Sequence, residues 1–301
     1  MKTDLECVPC IIKQTINTLK ISGCSNKLSK KVVSELLQKL ENIDYDLSPA
    51  ANSDIGYIVF REVTGIKDPY YDLKRKYNRL ALDIYPKLEK VVDSVKNKLY
   101  MAAKVAIAGN VIDFGIDIKK VNTLDFNKII QDLQNMPLAV DNYDKFRESL
   151  KDSINILYIT DNAGEIVFDK VFIKELVKLD KKVVLTVKSD PIINDATLED
   201  AVEAKFDNLA RVIETGNSNI GINISDSSDA FLEEFKKADL IISKGQGNFE
   251  TLDETGANIF FLLKAKCEKI ARELGVKHSD IVFAESKART GRESNVGSMN
   301  Q

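Results

Sequence analysis

The sequence predicts an α/β protein: a doubly wound, three-layer α/β/α core on a mainly parallel sheet, with an all-helical subdomain at the N-terminal end. Three observations lead there. From about Val8 to Leu99 apolar residues recur three and four apart, the period of half-buried helices. Beyond Leu99 short runs rich in β-branched residues alternate with helical patterns. Those runs are continuously apolar rather than alternating, as strands covered on both faces must be. The expected division is a helical subdomain over 1–100, an α/β core over 101–285 and a polar tail over 286–301.

In the first part, Cys10–Gly23, Leu28–Leu40, Ser53–Gly65 and Asp68–Val95 contain five or six helices by their periodicity, with Gly23 and Gly65 where helices should stop. Asp68-Pro69 reads as a helix start, and Pro86 as a kink or restart. In the second part the expected strands are Val105–Gly109, Ile154–Thr160, Lys182–Lys188, Ala210–Thr215, Ala238–Gly245, Asn258–Ala265 and a last one near Asp280. Helices fall between them over Ile166–Leu179, Ala196–Phe206 and Ser228–Lys237. The final residues lack periodicity and are expected to be mobile.

Composition narrows the function classes. Of 301 residues 44% are hydrophobic and 30% charged, ordinary for a globular protein, and 43 basic against 46 acidic residues leave no footprint for nucleic acid. Charges interrupt every apolar run before it could cross a bilayer, and MKTDLECVPC lacks the layout of a signal peptide, so a cytoplasmic, non-membrane protein is expected. Four cysteines are too few for a disulfide framework.

The chemistry gathers where strands end, and ligands of open α/β sheets bind beyond the carboxyl ends of strands. Val105–Ala108 is followed by Gly109-Asn110 and then Asp113 and Gly115. Ile154–Thr160 runs into Asp161-Asn162-Ala163-Gly164-Glu165, Val183–Val187 into Lys188 and then Asn194-Asp195, and Leu240–Ser243 into Lys244-Gly245-Gln246-Gly247-Asn248. Asp161, Asn162 and Asp195 offer three hard oxygen donors suited to Mg²⁺ or Mn²⁺; the bland alternative is that both pairs only cap helices. Lys244 and its glycine turn can hold a phosphate or carboxylate, or be a tight loop. No P-loop and no G-x-G-x-x-G after a strand is present.

Glu165, one helical turn past Asp161, suits a general base for an activated water or simply a first-turn acid favoured by the helix dipole. Cys7 and Cys10 have C-x-x-C spacing, compatible with a second metal site, a redox pair or inert thiols, and Cys24 and Cys267 could join them only if folding brings them near. His278, the single histidine, reads as a surface residue.

Taken in order, CVPC, AGNVIDFG, TDNAGEIVFD, PIINDATLEDA, SKGQGNFETL and FFLLKAKC resemble the archaeal-type, C-x-x-C-bearing branch of the damage-control phosphatases, the domain of unknown function 89 family, from Cys7 to about Phe283. The resemblance implies a metal-dependent phosphatase of small phosphorylated metabolites, such as sugar phosphates or damaged phospho-metabolites, using Mn²⁺, Co²⁺, Ni²⁺ or Mg²⁺. By position it implies Asp161, Asn162 and Asp195 as metal ligands and Glu165 as an acid orienting substrate or water. Asn110 then contacts phosphate or the metal shell, and Lys244, Gly245 and Asn248 clamp the phosphate; Asp190 is at most a neighbour. Another branch carries an R-T-x-K signature, for which this tail has only Ala288-Arg289-Thr290-Gly291-Arg292, so that branch's substrates are not transferred.

The expected mechanism is positioning and electrostatic stabilisation of a phosphoryl group, with Asp161 or Glu165 placing the attacking group and the nucleophile either a water or a carboxylate. Two rival readings remain: an S-adenosylmethionine-dependent carboxyl methyltransferase, and a non-catalytic protein that binds a metal or metabolite. The oligomeric state is not legible.

Overall fold

The computed structural model describes residues 1–111, 131 and 135–287. Its helices and strands are α1 (Cys7–Ile21), α2 (Asn26–Leu40), α3 (Pro49–Thr64), α4 (Tyr71–Asp93), α5 (Lys98–Val111), β1 (Val140–Asp141), α6 (Tyr143–Asp152), β2 (Asn155–Ile159) and α7 (Glu165–Val177). There follow β3 (Lys182–Val187), α8 (Leu198–Glu203), β4 (Arg211–Glu214), α9 (Asp229–Lys237), β5 (Leu240–Lys244), α10 (Gln246–Leu252), β6 (Ile259–Lys264), α11 (Glu268–Leu274) and β7 (Ile281–Glu285). The strands form one sheet in the order β1-β7-β6-β5-β2-β3-β4, parallel throughout except that β7 runs antiparallel to β6. This is the expected three-layer α/β/α arrangement.

From β2 the chain winds outward through β3 to β4, then returns to place β5 on the other side of β2 and winds outward again through β6. The order therefore reverses between β2 and β5, where Ile159 stands opposite Ser243. At such a switch point the following loops part to opposite faces of the sheet and leave a crevice at the carboxyl ends.

Val105–Gly109, expected as the first core strand, is instead helical and lies within α5. The segment is rich in alanine, the best helix former, and Ala102, Ala103, Val105, Ala106, Ile107 and Ala108 are all buried. A helix that is apolar all round carries no amphipathic signal, and five of its residues read alone look like a buried strand. Its close seat on α7 depends on Gly109, where a Cβ would lie 2.9 Å from Glu165 Cγ and 3.1 Å from Phe168 Cβ.

Four helices, rather than five or six, precede α5, and α4 runs unbroken through Pro86. Gly65 caps α3 in the left-handed conformation, as expected of a helix stop. Ile11, Val32, Leu36, Val59 and Phe60 give α1–α3 a core of their own, while Tyr77, Ala81, Leu88 and Val92 of α4 join α5, α7 and the sheet in the main core. Among the described residues no helix is long and apolar enough to cross a membrane. Asp113, Gly115 and the tail from Ala288 lie outside the described residues.

Candidate active site

The loops after β2 and β3 are stitched together by backbone. Ala163 N donates to Asn194 O (2.9 Å), Ala196 N donates to Asp161 O (2.8 Å), and Asn162 pairs with Asp195 in an isolated bridge. The turn holds Ile193 at a φ of +39°, unusual for a β-branched residue, a strain of about 1–3 kcal/mol of the kind stored at functional sites. Asp161, Asn162, Asn194 and Asp195 thereby line one wall of a cavity of about 340 Å³ at the switch point.

Side chains from two helices fix the carboxylates from behind. Asn110, at the end of α5, donates through Nδ2 to Asp161 Oδ2 (2.8 Å) and Glu165 Oε2 (3.0 Å). Asn162 Nδ2 donates to the same two oxygens at 2.8 and 3.1 Å. Glu165 Oε1 accepts from Lys244 Nζ (2.5 Å), so both oxygens of this buried acid are held. Gly164 N, just before α7, donates to Asn78 Oδ1 of α4 (2.6 Å), which anchors the turn.

Lys244 closes the network from below. Its ammonium donates to Ala106 O (2.9 Å), Glu165 Oε1 (2.5 Å) and Asp169 Oδ1 (2.5 Å), which uses all three of its donors. Burial works against its charge, but Asp169 and Glu165 outweigh burial and raise its pKa. Asp169 also accepts from Tyr158 OH (2.8 Å), while its other oxygen is buried without a partner. Burial pushes the Asp169 carboxyl up to about 7 against the pull of Lys244.

At the cavity wall, burial and then the neighbouring Glu165 push Asp161 up to about 6, with Lys266 pulling the other way. Burial pushes Asp195 up to about 8 although Lys188 stands 3.8 Å away. Burial lowers Lys188 in turn, and its ammonium also donates to Gly221 O. Carboxyls raised by desolvation at the wall of a cavity mark a place where a cation would be welcome. Among the described residues no three His, Cys, Asp or Glu side chains are arranged to hold a metal. The oxygen groups at this wall that could hold an ion are two carboxylates and one amide, from Asp161, Asn162 and Asp195. That set fits a hard divalent ion and leaves positions for water and a phosphate oxygen.

The remaining expected site residues fall behind the wall. Gly245 takes φ +80° and ψ 164° before α10, and a Cβ there would sit 2.1 Å from Asp161 Oδ2, so glycine is what admits the carboxylate. Asn248 is buried and donates to Thr160 O (2.9 Å) and Lys244 O (2.8 Å), tying α10 to the ends of β2 and β5. Lys244 is fully enclosed and does not line the cavity, and its charge is met by Glu165 and Asp169. Asp190 is exposed. His278 is also exposed, its ring 3.1 Å from Lys266 O.

Sequence reasoning missed Lys266, which lines the cavity just past β6; carrying the survey of strand ends one strand further finds it. It also missed Glu250 of α10, a cavity-lining acid that burial pushes up to about 7 and that accepts from Gln246 Nε2 (2.8 Å). Asp169 had a signal, since Glu165 and Asp169 are two acids four apart on one face of α7 and so can point at one buried cation. Cys7, Cys10 and Cys267 reach the same cavity, whereas Cys24 lies in a separate groove between α1 and α2.

Residues 3–282 match the family described as the damage-control phosphatase ARMT1-like domain. A damage-control phosphatase of Pyrococcus horikoshii is 36% identical over 295 residues, covering 95% of this chain and 99% of its own. One from Archaeoglobus fulgidus is 32% identical over 287 residues, covering 94% and 98%. The crystal structure of a DUF89 family protein from Pyrococcus horikoshii superposes with a TM-score of 0.84 at 34% identity, over 95% of this chain and all of the other. Matched by the family over residues 3–282 and by relatives of 32% identity or more over nearly their whole length, the chain belongs to the damage-control phosphatase ARMT1-like family.

Proposed function

We propose that the protein is a divalent-metal-dependent phosphomonoester hydrolase acting on small phosphorylated metabolites, sugar phosphates or damaged phospho-metabolites among them. The observation that carries the reading is the convergence of Asp161, Asn162 and Asp195 on one cavity at the switch point. Those three residues would hold the ion, Mn²⁺, Co²⁺, Ni²⁺ or Mg²⁺, which when bound supplies Lewis-acid polarisation of a phosphoryl oxygen. Lys266 brings a positive charge to the cavity, placed to offset charge on the phosphoryl oxygens. Asn110 and Asn162 hold Asp161 and Glu165 at fixed spacing, and Lys244 with Asp169 holds Glu165 from the other side. Little reorganisation is then needed when substrate arrives, which is how a preorganised site lowers a barrier. A cavity of about 340 Å³ suits a small metabolite.

The test is phosphate release from an aryl phosphate and a panel of sugar phosphates, by protein stripped of metal and resupplied with each of the four ions. Stimulation by at least one ion is expected, and Asp161→Ala should abolish it with its melting temperature little changed. Full activity in the stripped protein, or in Asp161→Ala, would overturn the assignment. Tight metal or phosphate binding with no release from any substrate would favour a binding protein instead.

A further inference from the structure

Three of the four cysteines stand outside the phosphate chemistry but inside its cavity. Cys7 and Cys10 begin α1, and residues three apart on a helix share a face. Cys267, the residue before α11, comes to the same cavity from the end of β6. Asp4 N donates to Cys7 Sγ (3.4 Å) and Gln246 Nε2 to Cys267 Sγ (3.6 Å). Cys10 is exposed and the other two partly so, and all are free thiols.

We propose that Cys7, Cys10 and Cys267 form a thiol–disulfide exchange site in the cavity wall, taking low-molecular-weight disulfides, with Cys10 as the point of attack. The claim that exchange controls turnover rests on the cavity being the substrate site; the exchange itself does not.

The Cys10 thiol releases its proton to solvent and its thiolate attacks one sulfur of RS–SR. That S–S bond breaks, one RS⁻ leaves and is protonated, and Cys10 carries –S–R. Cys7 then loses its proton, attacks the Cys10 sulfur and expels the second RS⁻. Two thiols are oxidised by two electrons and one external disulfide is reduced to two thiols. Helical geometry puts Cα atoms three residues apart about 5 Å from each other, inside the range a disulfide bridges. Cys7 and Cys10 lie in the first turn, where backbone N–H groups have no intrahelical partner, so the turn can tighten without breaking the helix. Burial raises the pKa of both thiols, which keeps the resting pair protonated and the reaction slow.

While the adduct stands, a group of glutathione size shares a cavity of about 340 Å³ with the phosphate site; once it resolves, the first turn of α1 is drawn tighter.

The experiment incubates the full-length reduced protein with oxidised glutathione, maps the modified cysteines by mass spectrometry, and follows aryl phosphatase activity before and after dithiothreitol. Modification at Cys10 and then a Cys7–Cys10 bridge are expected, slowed at least threefold by Mn²⁺ with inorganic phosphate. Turnover should fall at least tenfold and return on reduction. Cys24→Ser should respond like the parent and Cys10→Ser should not respond. Reaction at Cys24 instead, or reaction at Cys10 that neither phosphate slows nor activity registers, would overturn the proposal. Should no phosphatase activity exist with any ion, mass mapping and phosphate protection still decide whether the thiol site is real.

Discussion

Replacing Gly245 by alanine tests the site where the fold and the chemistry touch. The added Cβ would meet Asp161 Oδ2 at 2.1 Å, Cγ at 2.2 Å and Oδ1 at 2.6 Å. Ordinary contact needs about 3.4 Å or more, so the carboxylate must retreat by about 1 Å. Asn110 and Asn162 both grip its Oδ2, so it retreats only by breaking bonds at 2.8 Å. A misplacement of about 1 Å costs about a hundredfold in rate. Backbone strain adds about 1–3 kcal/mol of lost stability, since φ +80° with ψ 164° suits only glycine. Gly65→Ala is the control: its φ is +72° and its added Cβ has open space around it. Steady-state hydrolysis of an aryl phosphate and thermal unfolding should show Gly245→Ala about a hundredfold slower, and Gly65→Ala slightly less stable but fully active. Activity within threefold of the parent in Gly245→Ala would refute the claim that Asp161 must sit against this turn.

Two further outcomes follow from the buried charges. Lys244→Met leaves Glu165 and Asp169 buried without their cation, at a cost of about 3–5 kcal/mol in urea unfolding; adding Asp169→Asn should recover part of it, and unchanged stability in Lys244→Met would contradict the network. Asp54 of α3 accepts from Ile220 N (2.7 Å) and Asn219 Nδ2 (2.9 Å), and burial pushes its carboxyl from 3.8 up to about 6. The fold therefore binds a proton there that the unfolded chain has released, so this contribution is present at low pH and lost as pH rises through about 6. Between pH 5 and 7.5 that amounts to about 1.4 kcal/mol. Asp54→Asn should flatten the pH dependence of stability by that amount, and an equal or steeper slope would count against it.

What the sequence showed, and what it hid, follows from the range of the interactions. The runs ending at Thr160, Lys188 and Gly245 were legible because a buried strand must be apolar and must stop being so where it meets a site. Asp161, Asn162 and Asp195 were legible for the same reason, as oxygen donors at neighbouring strand ends. Val105–Gly109 was misread because its deciding feature is a fourteen-residue, alanine-rich helix on α7 rather than its own five residues. The role of Lys244 was hidden because a lysine beside a glycine turn looks like an anion holder until Glu165 and Asp169 are seen to take its donors. The meeting of Cys7 and Cys10 with Cys267 joins residues some 260 apart, and no local pattern announces a contact of that kind.

The cavity draws its walls from two separately packed bodies. Cys7, Pro49 and Ala50 belong to α1–α3, and Asp161 and Asp195 to the sheet. The two are joined across the gap by buried carboxyls: Asp54 of α3 grips the loop at Asn219–Ile220, and Glu250 of α10 accepts from the Ala50 backbone. On the proposed function, reaction and selectivity would thus be written on different stretches of chain. Changes among the first fifty or so residues would then remake the shape that a substrate must fit while the carboxylates proposed to react stay where they are, so that one floor could serve under many roofs.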